Sequence, residues 1–355
     1  MFEYLACIFT LCAICYLLGI LSDPLDEVGS KLGNLLKLPE EVVASTFQAL
    51  ATSGPEILMA IIAATPFITN KIWDSLQLSE KACSGTLNMV FSSMDNLLGI
   101  GAIAIIAMIV LKKVKPGDLI PKSTSTVIGL IFYIIASSAF SIFVYDSVIT
   151  FAEGWIMMGI GILFILSQFI VPRFVNSNEE DEADGKAITL VPRKRGFARL
   201  KSFGNNGFKY LFLIFGLILF VQAAMTATFN MALVSIFSVG GILLGITSFV
   251  SSFPEFMLAI QYVKVNKKGA LLAMLFGSNV IDLAFSGFRS IWLHESMAVI
   301  TTGAHPELLN WYIWALPAVA LVVLISLFTN KLRWKHAYIM AGFYLTYIIS
   351  GFILL

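Results

Sequence analysis

Ten apolar runs, each long enough to cross a bilayer, take up most of this 355-residue chain. They fall near 2–22, 41–68, 77–111, 124–145, 150–172, 208–228, 231–264, 269–293, 309–329 and 336–355. A hydrocarbon core asks for about 20 apolar residues per helix. Several runs exceed that, so tilted, kinked or broken helices are expected. Only 13% of the residues are charged, roughly half the share in a soluble domain. The expected class is an all-α membrane protein, because a spanning helix satisfies its own backbone. The first run starts at Phe2 with no basic flank, and reads as a first span rather than a cleaved signal. A net charge of +1 argues against a nucleic-acid partner.

A single polar stretch interrupts this pattern. Between Val175 and Asn206 the chain carries Glu179-Glu180-Asp181-Glu182, then Arg193-Lys194-Arg195. It reads as a solvated linker between a first half, 1–174, and a second half, 207–355. Basic residues orient the spans. Lys31 and Lys37, Lys112 to Lys122, the linker, Lys264 to Lys268, and Lys331 to Lys335 all follow odd-numbered spans. The connections at Tyr145–Glu153 and His294–Asn310 carry no Lys or Arg. Both termini are therefore expected outside and the linker inside. Five spans per half, an odd number, insert the halves in opposite directions, as inverted repeats do.

Two phrases tie the halves together. Ala51-Thr52-Ser53-Gly54-Pro55-Glu56 sits in the second run, and Val250-Ser251-Ser252-Phe253-Pro254-Glu255 in the seventh. A proline inside an apolar helix breaks it and frees carbonyls of the preceding turn, here those near Ala51 and Val250. Helices 2 and 7 are thus expected to be discontinuous. A carboxylate at membrane depth is costly unless a charge compensates it. Further along, Ser84 and Asn88 align with Ser278 and Asp282, each pair at i,i+4 on one helix face. This register also pairs Ser92 with Ser286 and Asp95 with Arg289. Asp95 itself reads as a charge in a watery vestibule or a partner of a lysine, the alternative being a residue that lines an ion path.

The candidate site is a set of oxygens. Glu56, Glu255 and Asp282 supply carboxylates, Asn88 an amide, and Thr52, Ser53, Ser84, Ser251, Ser252 and Ser278 hydroxyls. Hard cations such as Na⁺ and Ca²⁺ take such ligands. The histidines (His294, His305, His336) lie near predicted helix ends, and the four cysteines show no metal spacing. That disfavours zinc or copper. Three ionised carboxylates cannot stay together unpaired in a low dielectric. One Ca²⁺ compensates two of them, with Asp282 protonated, or up to three Na⁺ compensate all three. Mutually exclusive occupancy by these ion sets is what an antiporter needs. No nucleophile and base stand together, so an enzyme is not expected.

Thr52-Ser53-Gly54-Pro55-Glu56, Ser251-Ser252-Phe253-Pro254-Glu255 and Gly277-Ser278-Asn279-Val280-Ile281-Asp282 resemble the paired motifs of the cation/calcium exchanger superfamily, its sodium/calcium exchanger branch above all. The resemblance implies Glu56, Asn88, Glu255 and Asp282 as central ligands and the six hydroxyl residues as flanking ones. It adds the backbone carbonyls of Ala49 and Ser248. It also implies alternating access, with spans one and six sliding against a core, in a plasma membrane or bacterial inner membrane. The expected function is Na⁺/Ca²⁺ antiport with no resident cofactor. The alternatives are an exchanger of the same fold that uses H⁺ or also K⁺, and a cation channel.

Overall fold

An apolar run surrounded by lipid has only its own backbone to bond with, and wherever this chain is described it is almost wholly helical. The computed structural model describes residues 6, 9–10, 12–17, 38–64, 78–112, 123–175, 216, 247–298, 313–322 and 334–354. The predicted 175–206 linker and nearly all of the 2–22 and 208–228 runs lie outside the described residues.

Helix α1 covers 40–52 as three pieces: Glu40–Val43, a wide π-turn Ala44–Gln48, and Ala49–Thr52. Helix α2 follows at Gly54–Ala64. Helix α3 runs from Leu78–Met94 through a second π-turn, Asp95–Ile100, into Gly101–Lys112. Helices α4, Thr124–Phe143, and α5, Phe151–Val175, complete the described part of the first half. In the second half come α6, Ser248–Ser251, α7, Phe253–Val265, α8, Lys268–Phe285, and α9, Phe288–Leu293. Helices α10, Ile313–Val322, and α11, Trp334–Leu354, follow.

Among the described residues four helical stretches are long and apolar enough to span a membrane: Thr86–Leu111, Thr124–Asp146, Phe151–Val171 and Lys268–Leu293.

The expected break in the second run is present. Helix α1 ends at Thr52, and Ser53 takes φ −72° and ψ 3° before α2 begins. The seventh run breaks in the same way: α6 ends at Ser251, and Ser252 takes φ −77° and ψ 5°. Pro55 and Pro254 each sit at the second residue of the following helix. There the missing N–H costs nothing within that helix.

Helix α8 is the central pillar. Every residue from Gly269 to Ala284 is buried, and it packs on α3, α4, α5 and the π-turn of α1. The closest approach is at Gly277, where a Cβ would stand 2.2 Å from the Ser45 carbonyl oxygen. Only glycine lets α8 lie against the π-turn at that distance. On one side Leu130, Tyr133, Phe140, Phe164, Phe276 and Leu283 form a buried apolar cluster. On the other Leu258, Tyr262, Leu271, Met274 and Leu275 form another. Both broken helices pack against α8, and α7 supplies Leu258 and Tyr262 to the second cluster.

At one end, strands β1, Val148–Ile149, and β2, Met297–Ala298, pair antiparallel. They join the connection after α4 to the one after α9, so those connections lie on the same face of the protein. These are two connections that the sequence marks as poor in basic residues.

Candidate functional site

The helix breaks place the hydroxyls. Thr52 Oγ1 donates to the Ala49 carbonyl at 3.2 Å, and Ser251 Oγ donates to the Ser248 carbonyl at 3.0 Å. The next residues, Ser53 and Ser252, donate their backbone N–H to the same two carbonyls, at 2.9 Å each. The Ala49 and Ser248 carbonyls are thus gathered at the breaks. The side-chain hydroxyls of Ser53 and Ser252 then reach across to the other half. Ser53 Oγ lies 2.7 Å from Ser278 Oγ, and Ser252 Oγ lies 2.6 Å from Ser92 Oγ.

The carboxylates hang on this hydroxyl frame. Ser278 Oγ donates to Glu255 Oε1 at 2.9 Å. Ser92 Oγ lies 2.9 Å from Glu56 Oε1 and 3.5 Å from Asp282 Oδ2, so a single hydroxyl links two acids from different halves. Ser252 Oγ also reaches Glu56 Oε1 at 3.4 Å. Glu56, Glu255 and Asp282 are all 0% exposed, and their charges act on one another.

Each of these acids leaves one oxygen over. Glu56 Oε2, Glu255 Oε2 and Asp282 Oδ1 are buried with no hydrogen-bond partner, and so are Asn88 Oδ1 and Asn96 Oδ1. A buried polar atom without a partner costs about 1–3 kcal/mol, and more when charged. Five acceptor-only atoms around one hydroxyl frame form a set of oxygens aimed at something positive. Among the described residues no three carboxyl, imidazole or thiol groups stand close enough to hold a metal ion by themselves. A cation held there therefore draws on hydroxyl, amide and carbonyl oxygens between the acids, the ligand set of Na⁺ or Ca²⁺ rather than of zinc.

The pattern of contacts departs from the predicted alignment of α3 with α8. Ser92 contacts Ser252 and Glu56, while Ser278 contacts Ser53 and Glu255. Exchanging the halves turns one set into the other, so Ser92 corresponds to Ser278, and the predicted pairs Ser84 with Ser278 and Ser92 with Ser286 do not hold. In this register Asp282 corresponds to Asn96. The Nδ2 of Asn96 donates to Ser278 Oγ at 3.4 Å. Asn88 is buried two turns earlier and donates to Ser251 Oγ at 3.2 Å. The helix of Ser84 is described but its side chain lies outside the described residues. Ser92 and Asn96 are the two site residues that sequence reasoning missed. The available signal was the match of Leu97 and Gly101 with Leu283 and Gly287 in the same register.

Residues 6–170 match the sodium/calcium exchanger protein family. No curated protein matches the chain. Among solved structures, the sodium-calcium exchanger NCX_Mj soaked with 2.5 mM Na⁺ and 0.1 mM Sr²⁺ superposes with a TM-score of 0.62 at 17% identity, over 98% of this chain and 99% of that one. The same exchanger soaked with 10 mM Na⁺ and 10 mM Sr²⁺ gives 0.60 at 15% identity, over 98% of each chain. The H⁺/Ca²⁺ exchanger CAX gives 0.69 at 15% identity, over 97% of this chain and 81% of that one. At these identities the likeness shows a shared fold.

Proposed function

We propose that this chain, which belongs to the cation/calcium exchanger superfamily and matches its sodium/calcium exchanger branch over residues 6–170, is a secondary active antiporter that exchanges Na⁺ for Ca²⁺. One observation carries the reading. Three buried acids and a buried amide, Glu56, Glu255, Asp282 and Asn96, each keep an unpartnered oxygen around one shared hydroxyl frame. Glu56, Glu255, Asp282 and Asn96 are the central ligands in this proposal, with Asn88 at the edge of the site. Thr52, Ser53, Ser92, Ser251, Ser252 and Ser278 flank them, with the carbonyls of Ala49 and Ser248.

Charge decides how such a site works. An uncompensated carboxylate at the membrane centre costs about 2.5–3.5 kcal/mol on insertion scales, so three acids hold the site empty only at high cost. One Ca²⁺ offsets two charges, and several Na⁺ offset all of them. The two ion sets compete for the same oxygens, which couples their movements in opposite directions.

The wider architecture belongs to the same proposal. Ten spans form two inverted five-helix repeats, 1–174 and 207–355, joined by a cytoplasmic linker at 175–206. Both termini face outward, in a plasma membrane or bacterial inner membrane. The reciprocal contacts of Ser92 and Ser278 support the repeat. The β1–β2 pairing supports a common outer face for the connections after the fourth and eighth spans.

The test is Na⁺-gradient-driven uptake of radiolabelled Ca²⁺ into proteoliposomes. Wild-type uptake that disappears in Glu255→Gln supports the reading; equal uptake by both proteins contradicts it. A second reading, H⁺-coupled Ca²⁺ exchange, is favoured by the fold likeness to CAX. Uptake driven by a pH gradient with no Na⁺ present selects it.

A further inference from the structure

Asp95 stands outside the mirrored scheme. With Ser92 matched to Ser278, its counterpart in α8 is Ile281, so nothing in the repeat demands an acid there. Nor does Asp95 lie in a watery vestibule or pair with a described lysine, as its sequence position suggested. It is 0% exposed, and neither carboxylate oxygen is in hydrogen-bond geometry with any group. Ser93 Oγ, next to the frame serine Ser92 and two residues before Asp95, is likewise buried without a partner.

The surroundings of Asp95 are polar but not basic. Its side-chain neighbours are Ser248, on the broken helix α6, and Tyr344, on α11. The charge that acts on it is that of Glu56, another acid. The backbone helps to assemble this group. Asp95 opens the π-turn of α3, a widening that re-aims side chains and recurs at functional positions. One turn on, Gly99 has no Cβ, and one built there would meet the Tyr344 ring at 2.9 Å. Glycine thus lets Tyr344 lie directly on the turn that Asp95 begins.

We propose that Asp95, with the hydroxyls of Ser248 and Tyr344, forms a further subsite for a monovalent cation such as Na⁺, beside the central cage and without a counterpart in the other half. The inference rests on the cation-exchange reading. A lone buried carboxylate beside another acid stays ionised only if a positive charge joins it, and otherwise takes up a proton. One carboxylate and two neutral hydroxyls match a single positive charge. A divalent ion in the same place would leave an uncompensated charge in low dielectric. The subsite shares Ser248 with the central cage, whose carbonyl lies at the helix break. Its occupancy is therefore tied to the seating of α6, and the number of Na⁺ ions bound exceeds what the three central acids alone demand.

The test is equilibrium binding of radiolabelled Na⁺ and Ca²⁺ to purified protein, for wild type, Asp95→Asn and Glu255→Gln. Asp95→Asn is expected to bind one Na⁺ fewer than wild type while still binding Ca²⁺. Glu255→Gln is expected to lose Ca²⁺ binding. Asp95→Asn protein that binds as many Na⁺ ions as wild type, with the same affinity, overturns the subsite. Wild-type protein that binds neither ion overturns the exchanger reading instead. If Asp95→Asn does not elute as a folded species, Tyr344→Phe carries the test. It removes one neutral oxygen, and Na⁺ binding is expected to weaken roughly fivefold, the worth of one hydrogen-bond-strength contact. Unchanged Na⁺ binding in Tyr344→Phe overturns the subsite.

Discussion

Ser92 and Ser278 hold mirrored positions. Each hydroxyl touches the serine at the helix break of the opposite half, Ser252 at 2.6 Å and Ser53 at 2.7 Å. Each also touches the glutamate of its own half, Glu56 and Glu255, at 2.9 Å. The two serines lock the broken helices to α3 and α8 and orient both glutamates, leaving one oxygen of each turned elsewhere.

From this pairing, Ser92→Ala and Ser278→Ala should have similar effects. Each removes the donor that orients one glutamate, a change that typically lowers metal affinity about 10- to 100-fold. Radiolabelled Ca²⁺ binding measures it. An effect in Ser278→Ala with none in Ser92→Ala would break the mirror relation.

The amides of α3 separate the two registers. Asn96 corresponds to Asp282, whereas Asn88 donates to Ser251 at the edge of the site. Asn96→Ala should therefore reduce Ca²⁺ affinity by at least about tenfold, and Asn88→Ala by clearly less. Transport assays on the two variants, side by side, decide between the registers; a larger loss in Asn88→Ala restores the alignment of Ser84 with Ser278.

Much of this was legible in the chain itself, for identifiable reasons. The helix breaks at Ser53 and Ser252 follow from Pro55 and Pro254, because proline leaves no freedom about where the backbone ladder stops. The acids of the cage stand out because carboxylates are rare in apolar runs. The register of α3 was harder to read. Ser84-to-Asn88 and Ser92-to-Asn96 have the same i,i+4 spacing and lie about two turns apart on one face. Local periodicity cannot tell them apart. Gly277 precedes Ser278, whereas the bulky Phe91 precedes Ser92, which hides the match. Three-dimensional contacts with the other half decide it. The π-turns were not legible either, since an extra residue in a helical turn leaves the apolar pattern nearly intact.

Gly277 should tolerate no side chain. A Cβ there meets backbone atoms of Ser45 at 2.2–2.8 Å, and backbone cannot swing aside as a flexible side chain does. Overpacking of this kind costs about 1–3 kcal/mol or more. Gly277→Ala should lower the thermal unfolding temperature in detergent, while Gly159→Ala, where a Cβ meets nothing within 4 Å, should leave it nearly unchanged. Equal melting of the two variants would show that α8 and the π-turn of α1 do not pack as described.

The central claim, that oxygens from both halves converge on a bare cation, is tested most directly by crystals soaked in Sr²⁺ and measured for anomalous scattering. The account predicts one strong peak among the unpartnered oxygens of Glu56, Glu255, Asp282 and Asn96, within coordination distance of at least one acid from each half and lost in Glu255→Gln crystals. A peak remote from these three acids, or none at saturating Sr²⁺, would contradict it.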